Sequence, residues 1–358
     1  MSESLAAVFD GTPQRLSLRK IPVPEPRRGE ALVRVLGCTV CGSDLHSISG
    51  RRSVPVPTIL GHEIVGEILR FGEGEDLLGC SGESLQVGDR VTWAIVASCG
   101  KCFLCQRGLP QKCQFGVKYG HEAFHPGREL LGGLAEHCLL VPGTAIVPIP
   151  PDLSLAAACP ASCATATVVA AIEAAGELQD RSVVVLGAGM LGLTACAMAK
   201  VAGATEIVAV DLNLQRLELS RRFGATRTSD PSRLPSVVRE ATGGFGADVI
   251  FEFSGASAAL DAARDSARLG ATFVLVGAVF PGPTINWPLE FIVRRNFTLR
   301  GVHNYAPPHL AQAVPFLAEN QAQFPFEELV ADWYPLESVS EAFDQATNPA
   351  NLRVGIQP

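Results

Sequence analysis

Ser182-Val-Val-Val-Leu186-Gly187-Ala-Gly189-Met190-Leu191-Gly192 is the stretch on which the reading of this chain turns. The apolar run 182–186 predicts a strand buried on both faces, as in a parallel sheet covered by helices. A Gly-x-Gly-x-x-Gly turn follows and opens a helix predicted from Leu191 to Ala202, the context that gives such a turn meaning. Gly187 permits the tight turn, Gly189 lets the backbone approach a pyrophosphate, and Gly192 lets helix and strand pack closely. Met190 and Leu191 open the helix, whose free N–H groups and positive dipole end suit phosphates.

Outward from this point the pattern alternates. A strand is predicted at Glu206–Asp211 and a helix at Leu214–Phe223, then strands at Ala247–Glu252, Ala271–Val276 and Thr298–Val302. Such alternation specifies a doubly wound parallel sheet. Asp211 stands about 20 residues beyond the fingerprint, where an acid accepts hydrogen bonds from the adenosine ribose. A carboxylate there repels a 2′-phosphate and favours NAD over NADP. The plainer role for Asp211 is to end a strand or cap the next helix.

Upstream, Ala31–Leu36, Glu63–Leu69 and Asp89–Trp93 are short alternating runs separated by turn residues at Gly72, Gly74 and Gly88. They predict an antiparallel β region, and Val147–Asp152 reads as a connection out of it. The final stretch of about 50 residues carries less pattern. With 47% hydrophobic and 18% charged residues and a net charge of −7, the composition argues against nucleic acid or an acidic membrane surface as partner. Residues 1–9 lack the basic start and apolar core of a signal peptide. Leu155–Ile172 is about long enough to span a bilayer. It is mostly Ala and broken by Pro160, Ser162, Thr165 and Thr167, so an element packed inside a cytoplasmic protein is expected.

In such a compartment the 11 cysteines point to metal rather than disulfides. Cys99, Cys102, Cys105 and Cys113 have the close spacing of a structural zinc site closed by thiolates. Cys41 and His62-Glu63 form a sparser set. A catalytic zinc needs three protein ligands, an exchangeable position and a carboxylate behind its histidine, for which Asp44 is available. Ser43 and His46 could carry a proton away. His121, His125, His137, His303 and His309 have no ligand spacing.

These motifs, Cys41-Gly-Ser43-Asp44-Leu-His46, Gly61-His62-Glu63 and the four-cysteine run, stand in an order that resembles the zinc-dependent medium-chain alcohol/polyol dehydrogenases. The resemblance covers essentially the whole chain. It implies an α/β protein: a GroES-like β-rich catalytic domain at 1–155 with the zinc lobe 99–113, a Rossmann domain at 156–303, and a return to the catalytic domain at 304–358. It implies NAD and two Zn2+ per chain, with Cys41 and His62 as catalytic ligands and Glu63 as a transient one. Cys163 is the expected third ligand and Cys159 its competitor. Thr167 would face the nicotinamide, Arg216 the adenosine ribose and Arg353 the pyrophosphate. A homodimer or homotetramer that oxidises a small alcohol is implied, with a polyol or amino-alcohol dehydrogenase as the alternative. The pattern is also similar to a bacterial subgroup associated with phosphonate catabolism, which suggests a phosphonate-related alcohol. A non-catalytic NAD-binding sensor is the reading from another class, and a zinc-independent reductase is disfavoured by the metal motifs.

Overall fold

The computed structural model describes residues 2–74, 77–280, 282 and 284–358; Met1, included in the reading of the N-terminal stretch, lies outside them. The chain divides into two compact units, Met1–Ala166 with Ala306–Pro358, and Thr167–Tyr305.

In the second unit, the parallel sheet consists of β1 (Ser182–Leu186), β2 (Glu206–Val210), β3 (Arg227–Ser229), β4 (Ala247–Glu252), β5 (Ala267–Leu275) and β6 (Thr298–Gly301), in the spatial order β3-β2-β1-β4-β5-β6. This is the dinucleotide-fold order, with β1 at the centre where the winding reverses. Val184 of β1 stands between Val208 of β2 and Ile250 of β4, and none of the three is more than 2% exposed. That explains the unbroken apolar run: with neighbours on both sides and helices over both faces, no position from Val183 to Leu186 meets water. Strand β3 escaped the sequence reading because it is short and polar, Arg-Thr-Ser, and pairs only on one side.

The fingerprint turn has the geometry its glycines suggested. Gly187 has φ +93°, and a Cβ on Gly192 would stand 1.8 Å from the Gly187 carbonyl oxygen. Gly189 caps the helix Met190–Val201, and nothing lies within 4 Å of where its Cβ would be. The first glycine makes the turn, the third allows the close packing, and the second leaves space in front of the helix N-terminus.

In the first unit, the main sheet runs in the order Ile146–Pro148, Arg90–Trp93, Glu63–Phe71, Ala31–Thr39, Arg353–Gln357, Val330–Pro335, with His137–Leu140 also paired to Ala31–Thr39. Its pairs are antiparallel apart from the last, which is parallel. Ile146–Pro148 pairs with Arg90–Trp93, so the segment read as a connection begins inside the sheet. The poorly patterned C-terminal stretch supplies the helix Pro307–Asn320 and two further strands.

The division between units falls after Ala166 rather than after residue 155. Residues 155–162 pack on the β unit, and Ser162 Oγ donates to the His62 carbonyl at 3.1 Å. The apolar stretch is the helix Leu155–Ala158, a 3-10 turn Cys159–Ser162 and the helix Ala164–Ala175. The two halves are bent by 55°, and no single helix among the described residues is long and apolar enough to cross a membrane.

The Gly192 contact is testable. Gly192→Ala must push helix and turn apart, and we expect a loss of about 1–3 kcal/mol in urea unfolding. An unchanged midpoint would contradict the close packing.

Candidate active site

Sheet register builds the site. Thr39 stands opposite Glu63 on one side and Gly355 on the other. The ends of three neighbouring strands therefore deliver Cys41, His62 with Glu63, and Arg353 to one end of the sheet. Cys163 arrives from the 3-10 turn fastened to His62 by Ser162. One donor atom from each of Cys41, His62, Glu63 and Cys163 lies within 4.8 Å of the others. Cys159 is outside this group, fully buried, with its thiol pushed up by desolvation.

Asp44 fixes the arrangement. It is 0% exposed, and its Oδ2 accepts from the Cys41 backbone N–H at 2.9 Å while Oδ1 accepts from the Gly61 N–H at 3.3 Å. Oδ1 also lies 3.4 Å from His62 Nδ1, an electrostatic contact that directs this nitrogen at the carboxylate and leaves Nε2 for a ligand. Ser43 Oγ is 3.3 Å from that Nε2. Ser43 and His46 are three apart on the helix Gly42–Ile48 and share a face. Burial, and then Arg51, hold the His46 pKa below its ordinary value.

Behind the donors is a buried ion pair. Arg353 Nε donates to Glu63 Oε2 at 2.8 Å and an Arg353 terminal nitrogen donates to Oε1 at 3.0 Å. Thr39 Oγ1 adds a third hydrogen bond to Glu63, at 2.6 Å. The same guanidinium reaches Cys41 Sγ at 3.6 Å and the Leu352 carbonyl at 2.9 Å. Arg353 thus has a structural partnership that neither its sequence position nor the resemblance indicated. Desolvation opposes its charge, but Glu63 and Cys41 hold its pKa above the ordinary value. Burial raises Glu63.

The electrostatics of the donors suit a cation. The hydrogen bond with Cys163 and the nearby Arg353 hold the Cys41 thiol well below its ordinary range, against burial. Burial works against charge on His62 as well, yet Asp44 outweighs it and lifts the imidazole to about 10. The same hydrogen bond, and then burial, push the Cys163 thiol well up, so one sulfur of the pair is favoured as thiolate beside a positively charged imidazole. Two sulfurs, an imidazole and a nearby carboxylate are donors zinc accepts.

His121 was passed over for want of ligand spacing, yet it belongs to this region. A second Gly-His-Glu triplet, Gly120-His121-Glu122, was the unused signal. A Cβ on Gly120 would come within 2.7 Å of the Gly61 carbonyl oxygen, so the two triplets pack backbone to backbone. That brings the His62 and His121 rings to 5.3 Å between centroids. Burial, then the charges of His62, Lys118 and Arg52, push His121 down to about 2.

The four-cysteine group is separate and local. Donor sulfurs of Cys99, Cys102, Cys105 and Cys113 lie within 4.8 Å of one another. Backbone N–H groups point at them, Cys99 N–H to Cys113 Sγ and Cys102 N–H to Cys99 Sγ, both at 3.3 Å. The Cys105 N–H is foremost among the groups that bring the Cys102 thiol down to about 6. Burial, by contrast, pushes the Cys105 thiol up to about 12. All four residues are free cysteines, so this is a cage of sulfurs and not a disulfide pair.

In the other unit, Asp211 follows β2, its Oδ2 accepting from the Ala188 N–H at 2.8 Å and Oδ1 from the Asn213 N–H at 2.9 Å. The next helix, Leu214–Arg222, is capped by Asn213, which leaves Asp211 to fasten the fingerprint turn. Arg216 is half-buried in the first turn of that helix. Thr167, 9% exposed, lies in the helix Ala164–Ala175.

Comparison with known proteins agrees with this construction. Residues 27–151 match the family described as alcohol dehydrogenase GroES-like domain, and residues 191–319 match the one described as zinc-binding dehydrogenase. The chain is 32% identical to an alcohol dehydrogenase of Geobacillus stearothermophilus, with 95% of each chain covered. It is 32% identical to the L-threonine 3-dehydrogenase of Pyrococcus horikoshii, with 84% of each covered. The crystal structure of an alcohol dehydrogenase from Thermotoga maritima superposes with a TM-score of 0.93 at 28% identity, over 100% of both chains. The chain belongs to the zinc-dependent medium-chain dehydrogenases and is an oxidoreductase of the alcohol dehydrogenase type.

The buried pair generates a prediction. Arg353→Met leaves Glu63 without its counter-charge and should cost about 3–5 kcal/mol in denaturant unfolding. Adding Glu63→Gln should recover part of that loss. A double variant less stable than the single would show that Arg353 acts through packing alone.

Proposed function

We propose that the protein is an NAD-linked alcohol dehydrogenase that reversibly oxidises a small alcohol to an aldehyde or ketone. The observation that carries this reading is the convergence of Cys41, His62 and Cys163 beside Ser43 and Asp44. On this reading these three hold one zinc, and Cys99, Cys102, Cys105 and Cys113 hold a second. When bound, zinc supplies Lewis acidity to the substrate oxygen and the nicotinamide accepts the hydride. Ser43 is the hydroxyl placed to take the alcohol proton, and His46, one helical turn on, passes it outward. Asp44 keeps the His62 tautomer, and the Arg353 pair keeps Glu63 in place behind the donors.

Support for the dinucleotide comes from the open space at Gly189 before the helix N-terminus. Asp211 supports NAD, with Arg216 and Thr167 as further contacts. A polyol or amino alcohol is the alternative substrate class, supported by likeness to a threonine dehydrogenase. A phosphonate-related alcohol falls within the same reaction. A homodimer or homotetramer completes the proposal.

Metal analysis and kinetics test it together. The full chain should carry two zinc ions, and Cys41→Ser should lose one of them and nearly all turnover while still binding NAD. A single zinc in the unaltered protein, or full activity in the variant, would refute the assignment. A screen of small alcohols with each dinucleotide should show reduction of NAD. Efficient use of NADP alone would contradict the role given to Asp211.

A further inference from the structure

Around the donor set, outside the groups used so far, lie cations with no acidic partner. Lys118 ends the short strand Val117–Lys118, and its backbone N–H donates to Glu122 at 2.7 Å. Among the described residues its ammonium has neither an ion pair nor a hydrogen bond, although the side chain is half-buried. Arg52 is half-buried too, and among the described residues its guanidinium likewise has no partner, its backbone N–H going to the His46 carbonyl. Lys118 and Arg52 are within electrostatic reach of each other, and Lys118 within reach of Cys163 and Asp44. Neither acid is available to neutralise it. Cys163 is in the donor set, and Asp44 is spent on Cys41, Gly61 and His62.

A half-buried lysine and arginine left unpaired within electrostatic reach of each other are uncommon, because each loses hydration and gains nothing in return. Burial brings the Lys118 pKa down to about 8, so it still carries its proton at neutral pH. His121 adds a third unused group. Its Nδ1 is 3.0 Å from the Tyr119 carbonyl, which can only accept, so this nitrogen carries the hydrogen. Nε2 is then an acceptor, buried without any partner on a ring that is 6% exposed and 5.3 Å from that of His62. The region thus offers two cations and one lone pair, all inside the first unit. Their complement is a molecule with an anionic head and an O–H.

We propose that Lys118, Arg52 and His121 form a recognition pocket for an alcohol that carries an anionic group, a carboxylate or a phosphonate or phosphate ester. Lys118 and Arg52 hold the anion by charge-assisted hydrogen bonds, and His121 Nε2 accepts from a hydroxyl of the same molecule. This rests on the dehydrogenase reading for the reaction but not for the binding.

Calorimetric titration of the full, metal-loaded chain with propylphosphonate, propanoate and 1-propanol tests the binding. At least one anion should bind about tenfold or more tightly than 1-propanol, and the stronger of the two identifies the head group. Lys118→Gln and Arg52→Gln should each remove most of that preference, and Lys118→Arg should keep it. Should Lys118→Gln fail to fold, Arg52→Gln decides alone. Anions that bind no better than 1-propanol, or a preference that survives both glutamine variants, would overturn the pocket. Turnover of 2-hydroxyethylphosphonate, 3-hydroxypropanoate and 1-propanol separates the two proposals. Anion binding without oxidation of any alcohol upholds the pocket and refutes the dehydrogenase, and oxidation without anion preference does the reverse.

Discussion

The carboxylate of Asp44 is the constraint on which the site depends. It accepts from the backbone at Cys41 and at Gly61 and faces His62 Nδ1, so one buried side chain sets two donor-bearing segments and the orientation of one imidazole. A buried carboxylate is costly unless its oxygens are occupied. Here they are, by groups that position the donors, so the requirement to satisfy the acid is also what shapes the site. The outer ion pair of Glu63 with Arg353 applies the same principle from the other side, tying the last strand to the segment that carries His62.

Negative and positive charge are arranged in layers around the donors. Two sulfurs, Asp44 and Glu63 lie innermost, and Arg353 neutralises only part of their charge. That imbalance is what a divalent ion would correct; within it the Cys163 hydrogen bond and Arg353 hold the Cys41 thiol down, while Asp44 lifts the His62 imidazole. Further out, Lys118 and Arg52 carry the opposite sign with nothing to balance it.

Much of this was legible in the residues. The central strand was read with its observed limits because a run of valines at the middle of a parallel sheet has no polar face to hide it. The four cysteines were legible because their spacing is itself the geometry of the cage. Edge strand β3 was missed, and so were the C-terminal strands: a short polar segment, or one paired by distant partners, has no local periodicity to betray it. The choice between Cys159 and Cys163 could not come from spacing, since both lie at the ends of one 3-10 turn and only its tether to His62 separates them. His121, Lys118 and Arg52 were invisible for a related reason. His121 reaches His62 through the contact of Gly61 with Gly120, and a repeated Gly-His-Glu triplet becomes informative only once one copy is known to pack on the other.

The two candidate metal cages differ in the length of chain each must close. The cysteine cage spans residues 99–113, so a nascent polypeptide can trap an ion there once that short loop has left the ribosome. The mixed cage draws on Cys41 and Cys163, and the arginine that steadies it lies 290 positions beyond Glu63. Its completion has to wait for nearly the whole chain to be synthesised. Closure is therefore ordered by topology: the cysteine cage can close early in synthesis, and the mixed cage only late, when the surrounding sheet can already shield it.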